Sequence, residues 1–241
     1  MSGYPAMAPA DAERALQEAR EIGQAANMMY LVHLAFPLIY CGEYAAPNKL
    51  LEEIIALTDE KNTPYFKALA MMFQGCVFAA TGKALNTIRL MVPAITSVQS
   101  TGSTLWVPFY VASLASAYSE NGQFSDAIRS VQEATTILQT TGERWCEAEI
   151  KRVAGEIALK SPGRDAAKAE GYFERALTVA RQQQAKSWEL RAAISLARLW
   201  RSQGKVQQAR ELLAPVYGWF TEGFDTRDLK EAKPLLEELA L

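Results

Sequence analysis

The sequence predicts an all-α fold, a right-handed α-α superhelix of about five helix pairs. Glycines recur 40, 40, 41 and 41 residues apart, at Gly42, Gly82, Gly122, Gly163 and Gly204. A small residue stands seven positions before four of them and eight positions before Gly163. Apolar or small residues follow each glycine at one fixed spacing, shifted by a single position after Gly163. Repetition with this period is typical of stacked helix pairs that form one elongated solenoid.

The unit between Leu114 and Ala134 shows how each pair is predicted to form. Its first helix ends at Glu120-Asn121-Gly122, because glycine adopts the left-handed conformation that closes a helix at little cost. The second helix carries Ala127, Val131 and Ala134 on one face. The small residue of the first helix, Ala115 in this unit, lets the two helices approach closely.

The same pattern divides the chain into units. We expect a disordered leader over 1–9, a half-repeat over 10–26 and a capping helix over 226–240, with Asp225-Thr226 as its cap. We also expect kinks at Pro37 and Pro93, and a loop from Thr96 to Thr104. Because the stretch 10–26 has the pattern of a second helix without a first helix before it, we favour a fragment of a longer protein. The predicted full repeats are 27–62, 63–104, 105–144, 145–185 and 186–222.

The order of small, aromatic, glycine and alanine positions resembles the tetratricopeptide repeat (TPR). The period of 40 to 41 residues exceeds the usual 34 and is shared by HEAT-like helix pairs. The glycine turn and the alanine-rich second helix favour the TPR-like alternative. The resemblance implies a binding scaffold whose first helices line a concave face.

Composition excludes several classes of function. The net charge of −2 gives no general attraction to nucleic acid. The apolar runs are interrupted by polar residues or proline, so we expect no membrane span, and no signal peptide is recognisable. Three cysteines without a Cys-x-x-Cys pair suit a cytoplasmic protein. With His33 as the single histidine, the sequence predicts no catalytic set, no metal site and no cofactor.

The predicted concave face is apolar at one end and rich in arginine at the other. Its apolar end could instead be covered core, and its arginines could pair with Glu149 and Glu156. If the arginines are available, paired guanidinium donors would favour an acidic partner. The candidate partner-binding residues are Met29, Val32, Phe36, Tyr40, Leu69, Met72, Phe73, Phe109, Arg152, Arg191, Arg198 and Arg201.

The stretch from Gln203 to Leu239 carries a second, narrower resemblance. Its sequence, including ELLAPVYGWFTEGFDT, is similar to the C-terminus of large bacterial regulatory proteins that join a cyclase-like domain, an ATPase domain and a TPR region. The resemblance implies a non-catalytic sensing or protein-binding module of such a signalling protein, with a protein, a peptide or its own parent domains as partner. A homo-oligomerisation module, for example a homodimer, is the first alternative, and a free-standing enzyme is the second.

Overall fold

A computed structural model describes residues 14, 17 and 18 and the continuous stretch 35–240. Within 35–240 the chain is helical, without β-strands. The predicted leader and half-repeat are therefore almost entirely outside the described residues. The helices are α1 Ala35–Cys41, α2 Ala45–Glu60, α3 Pro64–Ala80, α4 Ala84–Ser100, α5 Val107–Glu120, α6 Phe124–Thr141, α7 Glu147–Lys160, α8 Ala166–Gln182, α9 Lys186–Ser202, α10 Val206–Tyr217 and α11 Arg227–Glu238.

The first ten helices form five consecutive pairs, α1–α2 to α9–α10, which we number as units one to five. Each predicted repeat contains one such pair, and α11 lies within the predicted capping stretch. One boundary was wrong: α4 continues through Pro93 to Ser100, so the loop predicted from Thr96 is helical for its first five residues. Val98 and Ile95 are buried on this last part of α4, and that packing outweighs the local preference of Ser and Thr for loops.

Left-handed residues mark the turns, both within the units and between them. The turns within units one, two, three and five use the predicted glycines; Gly122, for example, has a φ of 77°. In unit four the turn lies at the predicted place, between Lys160 and Ala166, but its left-handed residue is Arg164, with a φ of 33°, and not Gly163. The extra residues of this longer turn shift the left-handed position by one.

Two glycines at the predicted small positions show why a side chain cannot be accommodated there. A Cβ on Gly155 of α7 would lie 2.4 Å from Cε1 of Phe173, a fully buried ring on α8. A Cβ on Gly75 of α3 would lie 2.2 Å from Cγ of Met91 on α4. The prediction of close helix approach is confirmed at both places.

Aromatic side chains connect the units near the start of their first helices. The Trp106 and Trp145 rings lie 5.5 Å apart, and the Trp145 and Trp188 rings 6.4 Å apart. Glu143 joins two units, because its carboxylate accepts hydrogen bonds from Nε1 of Trp145 at 2.6 Å and from the backbone N–H of Trp106 at 3.0 Å. These contacts fix the first helices of units three, four and five beside one another.

The last helix packs on unit five and also reaches unit one. Leu229, Ala232 and Leu235 of α11 are buried. Nη1 of Arg227 donates to the Tyr44 hydroxyl at 3.3 Å. A Cβ on Gly42 would lie 2.9 Å from Cβ of Arg227. The first and last described parts of the solenoid are therefore in contact, and the first helices surround a central space.

Candidate functional site

The first helices of all five units and α11 line one cavity of about 200 Å³, which we call the channel. Successive first helices stand side by side in a solenoid, so their inward faces combine into one surface. The side chains discussed below that line this channel are Ile39, Cys76, Phe109, Ser113, Ser116, Glu149, Arg152, Glu156, Arg191, Ser195, Arg198, Arg227, Asp228 and Glu231.

The part of the channel formed by units one to three is largely apolar. Phe109 lines it and is 7% exposed. Burial raises the pKa of the Cys76 thiol to about 12, so this cysteine is a neutral, apolar part of the wall. The hydroxyl of Ser113 donates to the backbone carbonyl of Phe109 at 3.1 Å. This side of the channel therefore offers mainly van der Waals contact.

Of the eight predicted apolar site residues, three lie away from the channel. Leu69, Met72 and Phe73 point into the core between units and are at most 3% exposed, which agrees with the covered-core alternative. Met29 and Val32 are outside the described residues. Phe36 and Tyr40 belong to α1, but their side chains are outside the described set.

Unit four contributes to the channel wall an ion pair between the buried Glu149 and the partly buried Arg152. Arg152 donates two hydrogen bonds to Glu149, from Nε to Oε2 at 2.7 Å and from Nη2 to Oε1 at 2.8 Å. Glu156 accepts a longer bond from Arg152 at 3.4 Å and one from the Ser195 hydroxyl at 2.7 Å. Such two-point pairs fix both side chains in one orientation.

The electrostatics of Glu149 follow from this arrangement. Burial raises its pKa, but the charge and hydrogen bonds of Arg152, with the charge of Arg191, outweigh burial. The pKa of Glu149 therefore lies below its ordinary value, and the carboxylate is ionised at neutral pH.

Unit five presents Arg191, Arg198 and Arg201 along one side of α9, which we call the arginine row. Each of them pairs with an acid of α11. Nε of Arg191 lies 2.6 Å from Oδ2 of Asp228, and Nη1 of Arg198 lies 2.5 Å from Oε1 of Glu231. Arg201 pairs with Glu238. The acidic segment beside the arginine row thus belongs to the chain itself.

Sequence reasoning missed the contribution of α11 to the channel. Arg227, Asp228 and Glu231 line it, although the sequence predicts only a cap for this helix. The sequence shows only that each helix carries three of the charges paired above over a span of ten residues, arginines on α9 and acids on α11. Nothing in the sequence alone specifies that these two helices lie side by side.

Comparison with solved structures identifies the fold. The apo form of RapI aligns with a TM-score of 0.68 at 15% identity, covering 94% of this chain and 76% of that one. BtubC (BKLC) from P. vanneervenii aligns with 0.61 at 16% identity, covering 98% and 90%. TPR-like repeats of a protein assigned as a kinesin light chain from Podosopora anserina align with 0.53 at 19% identity, covering 81% and 95%.

These similarities define the class of protein: the chain is an all-α, TPR-like helical-repeat protein. At these identities they establish the fold alone. No family profile and no curated protein matches the sequence. The resemblance of the last forty residues to cyclase–ATPase proteins therefore gains no support from the comparisons.

Two further observations bear on the class of function. In the part of the chain that the structure describes, no helix is both long enough and apolar enough to cross a membrane. Among the same residues, no three His, Cys, Asp or Glu side chains come together as a potential metal-binding group.

Proposed function

We propose that this chain is a non-catalytic protein-interaction module whose channel holds a peptide segment of a partner protein. The observation that carries the proposal is the channel itself, which five repeated first helices line. Peptide binding suits a wall with an apolar side and a charged side, because apolar contacts supply affinity and a few polar groups fix orientation. A scaffold of buried helices places these side chains rigidly, which lowers the entropic cost of binding.

The chemistry of the wall also bears on the alternative of an enzyme. Glu149 and Arg152 neutralise each other, and the raised pKa of Cys76 keeps its sulfur protonated. A protonated thiol is a poor nucleophile, and a carboxylate already bound to a guanidinium is a weak base. Binding is therefore the function that this wall supports best.

A displayed library of random peptides tests the proposal. The library is selected against the wild-type chain, and the recovered peptides are then measured against Ser116→Arg, which places a large cation in the channel. Ser100→Arg is the matched control, because Ser100 is exposed at the end of α4, away from the channel. We expect binding at least tenfold weaker for Ser116→Arg and unchanged within twofold for Ser100→Arg. Recovery of no specific peptide, or equal binding by both variants, would contradict the proposal.

We further propose that the module acts in the cytoplasm as the sensing part of a larger signalling protein. The cytoplasmic setting is supported by Cys76 and Cys146, which are buried free thiols. The signalling setting is supported by the sequence resemblance of the C-terminal forty residues. Sequencing the gene upstream of Met1 tests this part directly, because an open frame with cyclase and ATPase domains is expected. Self-association is the alternative, and light scattering over a concentration series distinguishes a stable homodimer from a monomer.

A further inference from the structure

We propose that α11 occupies a docking site for an amphipathic helix that carries acids beside its apolar face, and that a partner helix of this kind binds by displacing it. The site is the surface of α9 and α10 beneath α11, including the arginine row. This inference rests on the proposed role of the chain as a protein-interaction module and names the chemistry of one partner. Its basis is that the site already holds a helix of that chemistry.

The charges of the two helices match along their length. The pairs Arg191–Asp228, Arg198–Glu231 and Arg201–Glu238 follow the same order along both helices. Their exposure increases towards the end of α11: the two side chains are 17% and 15% exposed in the first pair, and 43% and 56% exposed in the last. Salt and competing carboxylates therefore reach the end of α11 more easily than its start. Displacement is expected to begin at that end.

The apolar contacts of α11 define the other half of the recognition pattern. Leu229, Ala232, Leu235 and Leu239 are all at most 4% exposed, and their spacings of three, three and four residues place them on one face. The opposite face carries exposed Lys230, Lys233 and Glu237. A helix that lays one apolar face into a groove and adds charged contacts at its edge is a common mode of peptide recognition. A partner helix with acids beside a similar apolar stripe can make the same two kinds of contact as α11: apolar packing and ion pairs with the arginine row.

Displacement of α11 would also open the channel. Arg227, Asp228 and Glu231 form part of the channel wall, so their departure removes that side. The contact between Arg227 and Tyr44 would be lost with them. A partner helix at α9 and a partner peptide in the channel could then belong to one continuous segment, whose combined affinity offsets the high effective concentration of the tethered α11.

A labelled synthetic peptide of residues 225–241 provides the probe, because it carries the required pattern by construction. Fluorescence anisotropy measures its binding to the full chain. The Glu231→Lys/Glu238→Lys variant places lysines of α11 against the arginine row and should loosen the tethered helix. Glu237→Lys is the control, because Glu237 is exposed on the same helix without an ion pair among the described residues. We expect the double variant to bind the peptide at least tenfold more tightly than wild type and Glu237→Lys, with affinity falling as salt rises.

A second variant tests the same proposal if the first one does not fold. An Arg198→Glu/Arg201→Glu chain should bind the natural peptide no better than wild type does, but should bind a peptide carrying the Glu231→Lys/Glu238→Lys changes. Circular dichroism checks that helix content is retained. Equal binding of the natural peptide by Glu231→Lys/Glu238→Lys and Glu237→Lys would overturn the proposal, as would a failure of the exchanged-charge pair to bind.

The two proposals fail separately. If the displayed library yields channel-binding peptides but the 225–241 peptide binds no variant, the chain is an interaction module and α11 is only a cap. If the 225–241 peptide binds as expected but the library yields nothing, the docking site on α9 stands without a peptide-binding channel.

Discussion

The contact between Gly155 and Phe173 gives the sharpest test of how the helix pairs are held together. Replacing Gly155 by Ala adds a methyl group whose carbon would lie 2.4, 2.7 and 2.9 Å from three ring atoms of Phe173. The ring is fully buried and cannot move aside without disturbing its neighbours. Overpacking of this kind costs about 1–3 kcal/mol, whereas the better helix propensity of alanine returns up to about 1 kcal/mol. We therefore expect a net loss of about 1–2 kcal/mol in the free energy of unfolding.

Gly171→Ala is the matched control, since Gly171 lies in helix α8 of the same unit. Its Cβ would meet only the end of the Arg175 side chain, at 3.8 Å. Only the propensity gain should remain, about 0.5–1 kcal/mol of added stability. In a chain of this size each kcal/mol moves the melting temperature by about 2–4 °C, so thermal denaturation followed by circular dichroism separates the two variants. Equal or higher stability of Gly155→Ala would refute the close approach of α7 and α8.

Three further outcomes are expected. Gly122→Val should lower the free energy of unfolding by about 1–2 kcal/mol, because valine is strained at a φ of 77°. Gly163→Val should change it little, because Gly163 has open space around it and a φ outside the left-handed region. Urea denaturation of both variants measures the difference. Glu149→Gln should destabilise the chain by about 1–2 kcal/mol at neutral pH, because Arg152, which is 20% exposed, loses its two charge-assisted hydrogen bonds to Glu149 and keeps only the longer contact with Glu156. Folding lowers the pKa of the Glu149 carboxyl. Its ionised form therefore stabilises the folded chain above the ordinary pKa of 4.5, and this stabilisation is lost as the pH falls through the pKa of the folded state. The free energies of unfolding of wild type and Glu149→Gln should consequently converge in acid. Burial raises the pKa of Cys76 and of Cys146 to about 12, so both thiols should react slowly with a thiol reagent in the native chain and rapidly after unfolding; fast native reaction would contradict their burial.

The repeating part of the fold was predictable because each unit needs a turn between two helices and a close approach of those helices, and uses similar residue types for both. Gly122 ends a helix with a left-handed residue, and Gly75 allows a close helix approach; both requirements restrict the sequence to glycine or a small side chain. The left-handed residue in the turn of unit four escaped prediction, since Arg164 adopts this conformation without being glycine. A residue held there by its surroundings leaves no local signature in the sequence.

The candidate site was less predictable because its chemistry depends on which helices meet. Arg191 and Arg198 were identified from their positions on α9, but their partners Asp228 and Glu231 come from a helix that follows two elements later. Leu69 and Phe73 share the apolar character expected of a binding face, and only tertiary packing assigns them to the core. Periodicity predicts the direction of a side chain on its own helix. Whether that side chain can contact a partner depends on which helix packs against it.

The contact of Arg227 with Tyr44 joins residues 183 positions apart in a chain otherwise built from neighbour contacts. A linear array of repeats can unfold progressively from its ends, because each terminal unit is held on one side only. The contact with α11 joins unit one to the last described helix, so fraying of either part has to break this contact as well. Unfolding should consequently involve all the units in one cooperative transition. Arg227→Ala removes the hydrogen bond to Tyr44 but keeps the backbone and Cβ contact with Gly42, so it should lower the amide protection of unit one against hydrogen exchange more than that of the central units.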